Sequence, residues 1–262
     1  MSAKKPFTIT GESCDVLADI VDSLLIIDGQ SPFVWEPRLK KKARAKAIYA
    51  TLALRGNRLS LDETRDIIES KTRLPSKSRE EFREVKNASQ VYDQMSSFNP
   101  YSLKDFLKAH KLMTLGLGEG GGSFRKSRIG YFDGRISGHY GTRPELIPDM
   151  MATLFTWGQE KPSHPVIKSA IFHYHIQLIR PFALGNGRLG RFWQTLILAN
   201  WKEVFEFLPI EMGFFSDDQL YRFHIETAHL KSSCGDFIEY SLLEVYKSLD
   251  FLVKLQEKKP RA

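Results

Sequence analysis

Apolar residues recur every three or four positions along most of this chain, which is the spacing of one face of an α-helix. Between Leu103 and Leu115, for example, Phe106 and Met113 fall on such a face, and Ser102 stands at the capping position before it. The same spacing predicts helices over residues 16–27, 35–54, 60–71, 76–98, 103–115, 143–157, 167–179, 192–200, 216–230 and 236–255. The chain is therefore predicted to be mainly α.

One stretch departs from the helical pattern. Residues 116–122 are rich in glycine, and Asp133-Gly134 then separates two short runs, Arg128–Phe132 and Arg135–Ser137. An Asp-Gly pair favours the type I′ turn that joins two antiparallel strands. The pattern predicts one small β-hairpin within residues 123–139, which could serve as a structural lid over apolar surface.

A glycine-rich turn joins two of the predicted helices, in the stretch Arg180-Pro-Phe-Ala-Leu-Gly-Asn-Gly-Arg-Leu-Gly-Arg191. The proline stops the first helix, and the glycines allow a tight turn before the second. The second helix then begins with free backbone N–H groups at the positive end of its dipole, which suits a phosphate. Arg188 and Arg191 are three residues apart, so both can contact one anion. The predicted phosphate site comprises Gly185, Asn186, Gly187, Arg188 and Arg191.

This stretch resembles the signature of the Fic-domain family of protein AMP-transferases, His-Pro-Phe-x-(Asp/Glu)-Gly-Asn-Gly-Arg-x-x-Arg. The matching residues, in register, are Pro181, Phe182, Gly185, Asn186, Gly187, Arg188 and Arg191. Two positions depart from the signature: Arg180 replaces the catalytic histidine, and Leu184 replaces the acidic metal ligand.

The resemblance implies a Fic-like helical core with a hairpin flap at 123–139, on which a target protein docks. It implies transfer of AMP from ATP to a hydroxyl of that target, with Mg²⁺ across the phosphates. The catalytic positions are then those of Arg180, Asn186 and Arg188, and Tyr221 lies where relatives stack the adenine. The implied division is an N-terminal helical region at 1–98, a Fic-like core at 99–256 and a basic tail at 257–262.

A second family element lies upstream of the core. Many Fic proteins carry an inhibitory helix with the pattern (Ser/Thr)-x-x-x-Glu-Gly/Asn, whose glutamate pairs with the second motif arginine. The stretch Thr51-Leu-Ala-Leu-Arg55-Gly56-Asn57 fits this frame with Arg55 in the glutamate's place, just before a capping box formed by Ser60 and Glu63. The resemblance places Arg55 opposite Arg191, so another group must offset the repulsion.

The substitutions change the chemistry that the site can support. Arg180 cannot accept a proton, because guanidinium stays protonated at physiological pH, and Leu184 offers no oxygen to a metal. His173 lies two helical turns before Arg180, about 10 Å by helix rise, and His175 lies on another face, so both are expected to be packing or surface histidines. We expect a cationic pocket without an internal carboxylate, which favours a polyphosphate without Mg²⁺.

Composition adds little to this assignment. The net charge of +7 over 262 residues is spread along the chain, with one dense cluster at Arg38–Lys46, so nucleic-acid binding is not expected. No apolar run approaches the ~18 residues of a membrane span, and the start has no signal-like apolar core. Cys14 and Cys234 have no metal-like spacing. A cytoplasmic protein without membrane contact is expected.

Three hypotheses remain from the sequence. The chain is a Fic protein of the AMP-transferase lineage that has lost most of its catalysis, or a non-catalytic nucleotide- or phosphate-binding module that regulates a partner. The third is a different transferase on the same fold, which uses another phosphate donor, since a fold does not determine a reaction.

Overall fold

Two buried helices joined by the glycine-rich turn form the centre of the molecule. The computed structural model describes residues 10–29, 37–71, 79–129 and 141–257. The helices are α1 Gly11–Asp28, α2 Pro37–Ala53, α3 Leu61–Ile68, α4 Arg79–Asp93, α5 Leu103–Met113, α6 Ile147–Glu160, α7 Pro165–Ile179, α8 Asn186–Trp201, α9 Glu211–Ser216, α10 Asp218–Leu230 and α11 Gly235–Glu257. Three short 3₁₀ helices lie at Met95–Ser97, Pro144–Leu146 and Glu203–Phe207.

The central pair is α7 and α8, which pack against each other. Most residues of both helices are buried, because apolar side chains surround them instead of forming one stripe. Phe172 and Trp193 are fully buried there, and Phe106 of α5 meets Trp193 edge-on with ring centroids 5.0 Å apart. This aromatic core holds both ends of the turn in place.

The N-terminal helices reach this centre. α2 contacts α8 and α9, and α4 contacts α5. The predicted capping box is confirmed: Ser60 Oγ accepts from the backbone N–H of Glu63 at 3.1 Å, and Glu63 Oε2 accepts from Ser60 N–H at 2.8 Å. Ser102 likewise caps α5 by accepting from Asp105 N–H. The end of α2 and one face of α4 therefore lie beside the predicted site.

The prediction of a β-hairpin flap is wrong. Throughout the described residues the chain is helical with no strand or sheet. Within the predicted hairpin, residues 123–129 form bends and irregular backbone, and residues 130–139 lie outside the described residues. Arg125 explains why the described part does not form a strand: its backbone N–H donates to the carbonyl of Pro181 at 2.9 Å, and its side chain bonds to other carbonyls. The fold class is corrected to all-helical over the described residues.

Among the described helices, none combines the length and the apolar character needed to cross a membrane.

Candidate functional site

The turn between α7 and α8 depends on two residues in the left-handed backbone region. Arg180 has φ 49° and ψ 64° and ends α7, since its N–H still donates to the carbonyl of Ile176. A residue before proline is disfavoured in the right-handed helical region, which promotes this exit. Gly185 has φ 83° directly before α8, where glycine carries no steric cost. The chain thus reverses within a few residues and starts α8 at Asn186.

Asn186 closes this turn on itself. Its side-chain oxygen accepts from Phe182 N–H at 2.9 Å, and its side-chain nitrogen donates to the Phe182 carbonyl at 2.8 Å. Both ends of the amide are therefore used in holding the loop. The contact of Asn186 with phosphate and its catalytic part, both implied by the resemblance, stay predictions.

The first turn of α8 offers backbone donors. Within the described residues, the N–H groups of Asn186, Gly187 and Arg188 have no protein acceptor, and the first helical bond runs from Leu189 N–H to the Gly185 carbonyl at 3.0 Å. Three such donors at the positive end of a 16-residue helix suit an anion.

His110 of α5 supports the loop between α7 and α8 by stacking and by hydrogen bonding. Its ring stacks on Phe182 with centroids 3.5 Å apart and an interplanar angle of 6°. Nδ1 accepts from Gly122 N–H at 2.9 Å, so Nε2 carries the proton and donates to the Leu184 carbonyl at 3.0 Å. Burial lowers the pKa of His110 to about 4. This neutral histidine, which the sequence analysis missed, ties the glycine-rich segment and the loop to one helix.

Arg125 is a second support that the sequence did not indicate. Its Nε donates to the Arg180 carbonyl at 2.7 Å and its Nη1 to the Ser127 carbonyl at 2.8 Å. Its Nη2 donates to the carbonyls of Thr142 and Ile179. The residue is 5% exposed. It therefore satisfies carbonyls at the end of α7 that a helix terminus leaves without partners.

A cavity of about 460 Å³ opens beside the turn. Its wall contains almost all of the residues singled out from the sequence, namely Arg55, Gly56, Arg180, Leu184, Gly185, Asn186, Gly187, Arg191 and Tyr221. Further lining residues come from α2, α7 and α10, and include Gln177, Asp218, Arg222 and Glu226. Arg188 is the one predicted binding residue that is not part of this wall.

Arg191 lies at the cavity with its guanidinium held from two sides. Nε donates to Thr51 Oγ1 at 2.7 Å, and Nη2 donates to the Thr51 carbonyl at 2.9 Å. Nη1 donates to the Tyr221 hydroxyl at 3.2 Å. Arg191 is 2% exposed. The inhibitory-like frame does reach the second motif arginine, but through Thr51, four residues before Arg55.

Tyr221 of α10 is a buried hydrogen-bonding centre. Its hydroxyl lies 2.8 Å from Nε2 of His173, accepts from Gln177 Nε2 at 2.9 Å, and also contacts Arg191. The ring packs against Phe214 with centroids 5.2 Å apart. Stacking of a nucleotide base on this ring stays a prediction.

Neither histidine of α7 is placed to act as a base. His173 is fully buried, with Nδ1 2.6 Å from Gln194 Oε1 and Nε2 bonded to Tyr221. Burial lowers its pKa to about 3. Burial also lowers the pKa of His175, to about 4. Neither residue lines the cavity, as expected for packing histidines.

Arg188 points to α4 instead of the cavity. Its Nη1 donates to Glu84 Oε1 at 2.6 Å, and the residue is 5% exposed. Burial lowers the pKa of Arg188, the Glu84 carboxylate opposes that change, and the nearby Arg55 adds to it. Arg55 is therefore close enough to repel the first motif arginine.

The cavity wall does contain carboxylates, contrary to the expectation from the sequence. Asp218 of α10 pairs with Arg222, with Nη2 and Oδ2 3.1 Å apart, and Glu226 lies two turns further along. Leu184 nevertheless provides no oxygen beside the turn. Within the described residues, no cluster of three His, Cys, Asp or Glu side chains could hold a metal ion. Mg²⁺ that accompanies a nucleotide usually takes one or two protein carboxylates as ligands. The signature position beside the turn is Leu184, which offers none, so no step is assigned to the ion.

The class of protein is a helical chain whose two central helices are joined by a glycine-rich turn with free backbone N–H groups among the described residues. Comparisons identify the family. The family model described as Fic/DOC family matches residues 100–198. The crystal structure of a Fic family protein from Desulfovibrio desulfuricans G20 superposes with a TM-score of 0.92 at 31% sequence identity, and the match covers 98% of this chain and 78% of that chain. The chain belongs to the Fic/DOC family.

Curated relatives include two proteins named Protein adenylyltransferase Fic. The Aedes aegypti protein is 28% identical over 207 residues, which is 74% of this chain and 38% of the relative. The Culex quinquefasciatus protein is 31% identical over 173 residues, which is 62% of this chain and 33% of the relative. The chain thus spans little more than a third of the length of these relatives.

Proposed function

We propose that this chain is a Fic protein of the adenylyltransferase lineage that binds ATP, or a similar nucleoside polyphosphate, but transfers AMP poorly. The observation that carries the proposal is a set of three backbone N–H groups, at Asn186, Gly187 and Arg188, beside a cavity of about 460 Å³. These groups have no acceptor in the part of the protein that the structure describes. A cavity of that size is within the range of small-molecule sites. The adenylyltransferase relatives support ATP as the nucleotide.

Charge at the cavity supports a metal-free polyphosphate. Arg55, Arg180, Arg191 and Arg222 line the wall against the two carboxylates of Asp218 and Glu226, so positive charge is in excess, and Asp218 is already paired with Arg222. Protein cations can supply the positive charge that a divalent ion usually brings to phosphates.

The absence of a suitable base supports poor transfer. A general base needs a pKa near the working pH and access to the hydroxyl proton. Arg180 stands where the family has histidine, and no histidine is among the residues that line the described cavity. His110 has both ring nitrogens engaged and a pKa of about 4. Loss of a base lowers the rate by roughly 10²–10⁴.

Binding is tested by titrating ATP into the protein in EDTA and again with Mg²⁺. We expect binding in both conditions, with similar affinity. Arg55→Gln should weaken it, because Arg55 lines the cavity. The control is Arg58→Gln, which removes an arginine three residues on that pairs with Glu81 and is not part of the cavity wall. No binding in either condition would overturn the proposal.

Transfer is tested by incubation with labelled ATP and Mg²⁺. The chain as it stands should show negligible self-labelling. Restoring both signature residues, with Arg180→His and Leu184→Asp together, should raise labelling by about 10²-fold or more. Histidine tolerates the left-handed backbone of position 180 better than most residues do. Ready labelling by the unmodified chain would contradict the proposed impairment.

A further inference from the structure

We infer that Glu84 of α4 limits the positive charge of the phosphate site by holding Arg188 away from it. This inference rests on the proposed function, since it concerns the anion that is proposed to bind at the same turn. Arg188 was predicted from the sequence to contact phosphate, yet it is the one such residue outside the cavity wall.

Both carboxylate oxygens of Glu84 accept hydrogen bonds, one from Arg188 of α8 and one from Asn57, which follows α2. Oε1 accepts from Arg188 Nη1 at 2.6 Å, and Oε2 accepts from Asn57 Nδ2 at 2.8 Å. The two ion-pair side chains are 6% and 16% exposed, so water screens them little. Glu84 thus joins the first turn of α8 to the segment that follows α2.

Glu84 also offsets the positive charge that Arg55 brings close to the motif arginines. The sequence places an arginine where many Fic proteins have an inhibitory glutamate, and the structure places Arg55 close enough to Arg188 to repel it. Glu84 is the carboxylate that pairs with Arg188 among the described residues. It comes from a different helix, 29 positions along the chain from Arg55, and it acts on the first motif arginine, not the second.

Arg188 keeps hydrogen-bonding capacity that its present position does not use. Its Nε is buried and has no hydrogen-bond partner among the described residues. Arg188 is in the same helical turn as the N–H groups that are proposed to bind an anion. Without its carboxylate partner, the guanidinium has a phosphate at those groups as its available counter-charge.

The test is a titration of tripolyphosphate in EDTA into the wild type and into Glu84→Gln, which keeps the side chain's size and removes its charge. One freed charge-assisted hydrogen bond predicts about tenfold tighter binding by Glu84→Gln. Glu81→Gln is the matched control, because Glu81 lies one turn away on α4 and pairs with Arg58 instead of the loop. The Glu81→Gln variant should bind tripolyphosphate with the same affinity as the wild type.

A second substitution shows whether Arg188 produces the gain. Adding Arg188→Gln to Glu84→Gln should return the affinity to near the wild-type value. Unchanged or weaker binding by Glu84→Gln, or a gain that survives Arg188→Gln, would overturn the inference while the wild type still binds. Failure of the wild type to bind tripolyphosphate would instead refute the proposed function. Thermal unfolding of each variant identifies any loss of folded protein.

Discussion

The hydroxyl oxygen of Tyr221 lies 2.8 Å from Nε2 of His173, and the neighbouring groups determine the direction of this hydrogen bond. Gln194 Nε2 donates to Ser241 Oγ at 2.7 Å, so Gln194 presents its Oε1 to Nδ1 of His173. Because that oxygen only accepts, Nδ1 carries the proton. Nε2 is then an acceptor, and the Tyr221 hydroxyl donates to it.

This direction leaves the lone pairs of the Tyr221 oxygen for other donors. Arg191 Nη1 and Gln177 Nε2 lie 3.2 Å and 2.9 Å from it, and both can only donate. A neutral histidine deep in the core thereby orients the hydroxyl that holds Arg191, an arginine of the cavity wall. His173 is a positioning residue, and it does this without reaching the cavity.

Tyr221→Phe should lower the free energy of unfolding by about 1–3 kcal/mol, because it leaves the buried Nη1 donor of Arg191 without this acceptor. It should also weaken polyphosphate binding, since the Arg191 guanidinium loses one of its supports. Urea unfolding monitored by circular dichroism measures the first effect, and calorimetric titration measures the second.

Tyr240→Phe is the control for this prediction. Tyr240 and Tyr221 are each 4% exposed, but the Tyr240 hydroxyl is buried with no hydrogen-bond partner among the described residues. Its removal should leave stability unchanged or slightly raised. An equal loss of stability in the two variants would mean that the hydrogen bonds of the Tyr221 hydroxyl do not stabilise the fold.

Thr51→Val should also destabilise the protein, by about 1–3 kcal/mol, because the buried Nε of Arg191 loses the Thr51 hydroxyl as its acceptor. Thr51→Ser retains the hydroxyl and should keep most of the stability. Chemical unfolding of the two variants tests this. A serine variant as unstable as the valine variant would show that the methyl group of Thr51, not its oxygen, matters.

The sequence predicted those features that depend on nearby residues. The signature turn, the cap at Ser60 and most helices follow from local spacing, and the structure contains them. The prediction for 192–200 was less accurate, since α8 begins six residues earlier at Asn186, and the short helix α9 was not predicted. The hairpin prediction rested on one Asp-Gly pair. The described residues before that pair instead bond to the loop through Arg125.

The supports of the site were beyond sequence reasoning because their partners are far apart in the chain. Arg188 and Glu84 are 104 residues apart, and His110 and Leu184 are 74 apart. Helix α4 is rich in charged residues, yet its Val85 is fully buried. Packing one face of α4 against the centre is what brings Glu84 to the loop. Nothing in the local pattern of residues 79–93 marks that carboxylate as different from Glu80 or Glu81.

Stability should fall as the pH drops from 6.5 towards 4, in part because His110 is held neutral. Its pKa in the folded protein is about 4, below the ordinary value of 6.5, so the unfolded state takes up the proton first. At pH 5 this single group should cost about 2 kcal/mol of unfolding free energy. His173, with a folded pKa of about 3, adds a similar dependence.

His110→Gln separates the contribution of His110 from that of all other titrating groups. Glutamine can still donate a hydrogen bond but binds no proton in this range. Unfolding of the variant should therefore take up about one proton fewer between pH 6.5 and 4, so its unfolding free energy should change less steeply with pH. Urea unfolding at pH 7, 6 and 5 measures both slopes, and carboxylates contribute equally to each. Parallel curves for the two proteins would mean that His110 accepts a proton as readily in the folded chain as in the unfolded one. The ring would then not be held as the neutral link between Gly122 and Leu184 that the hydrogen bonds require.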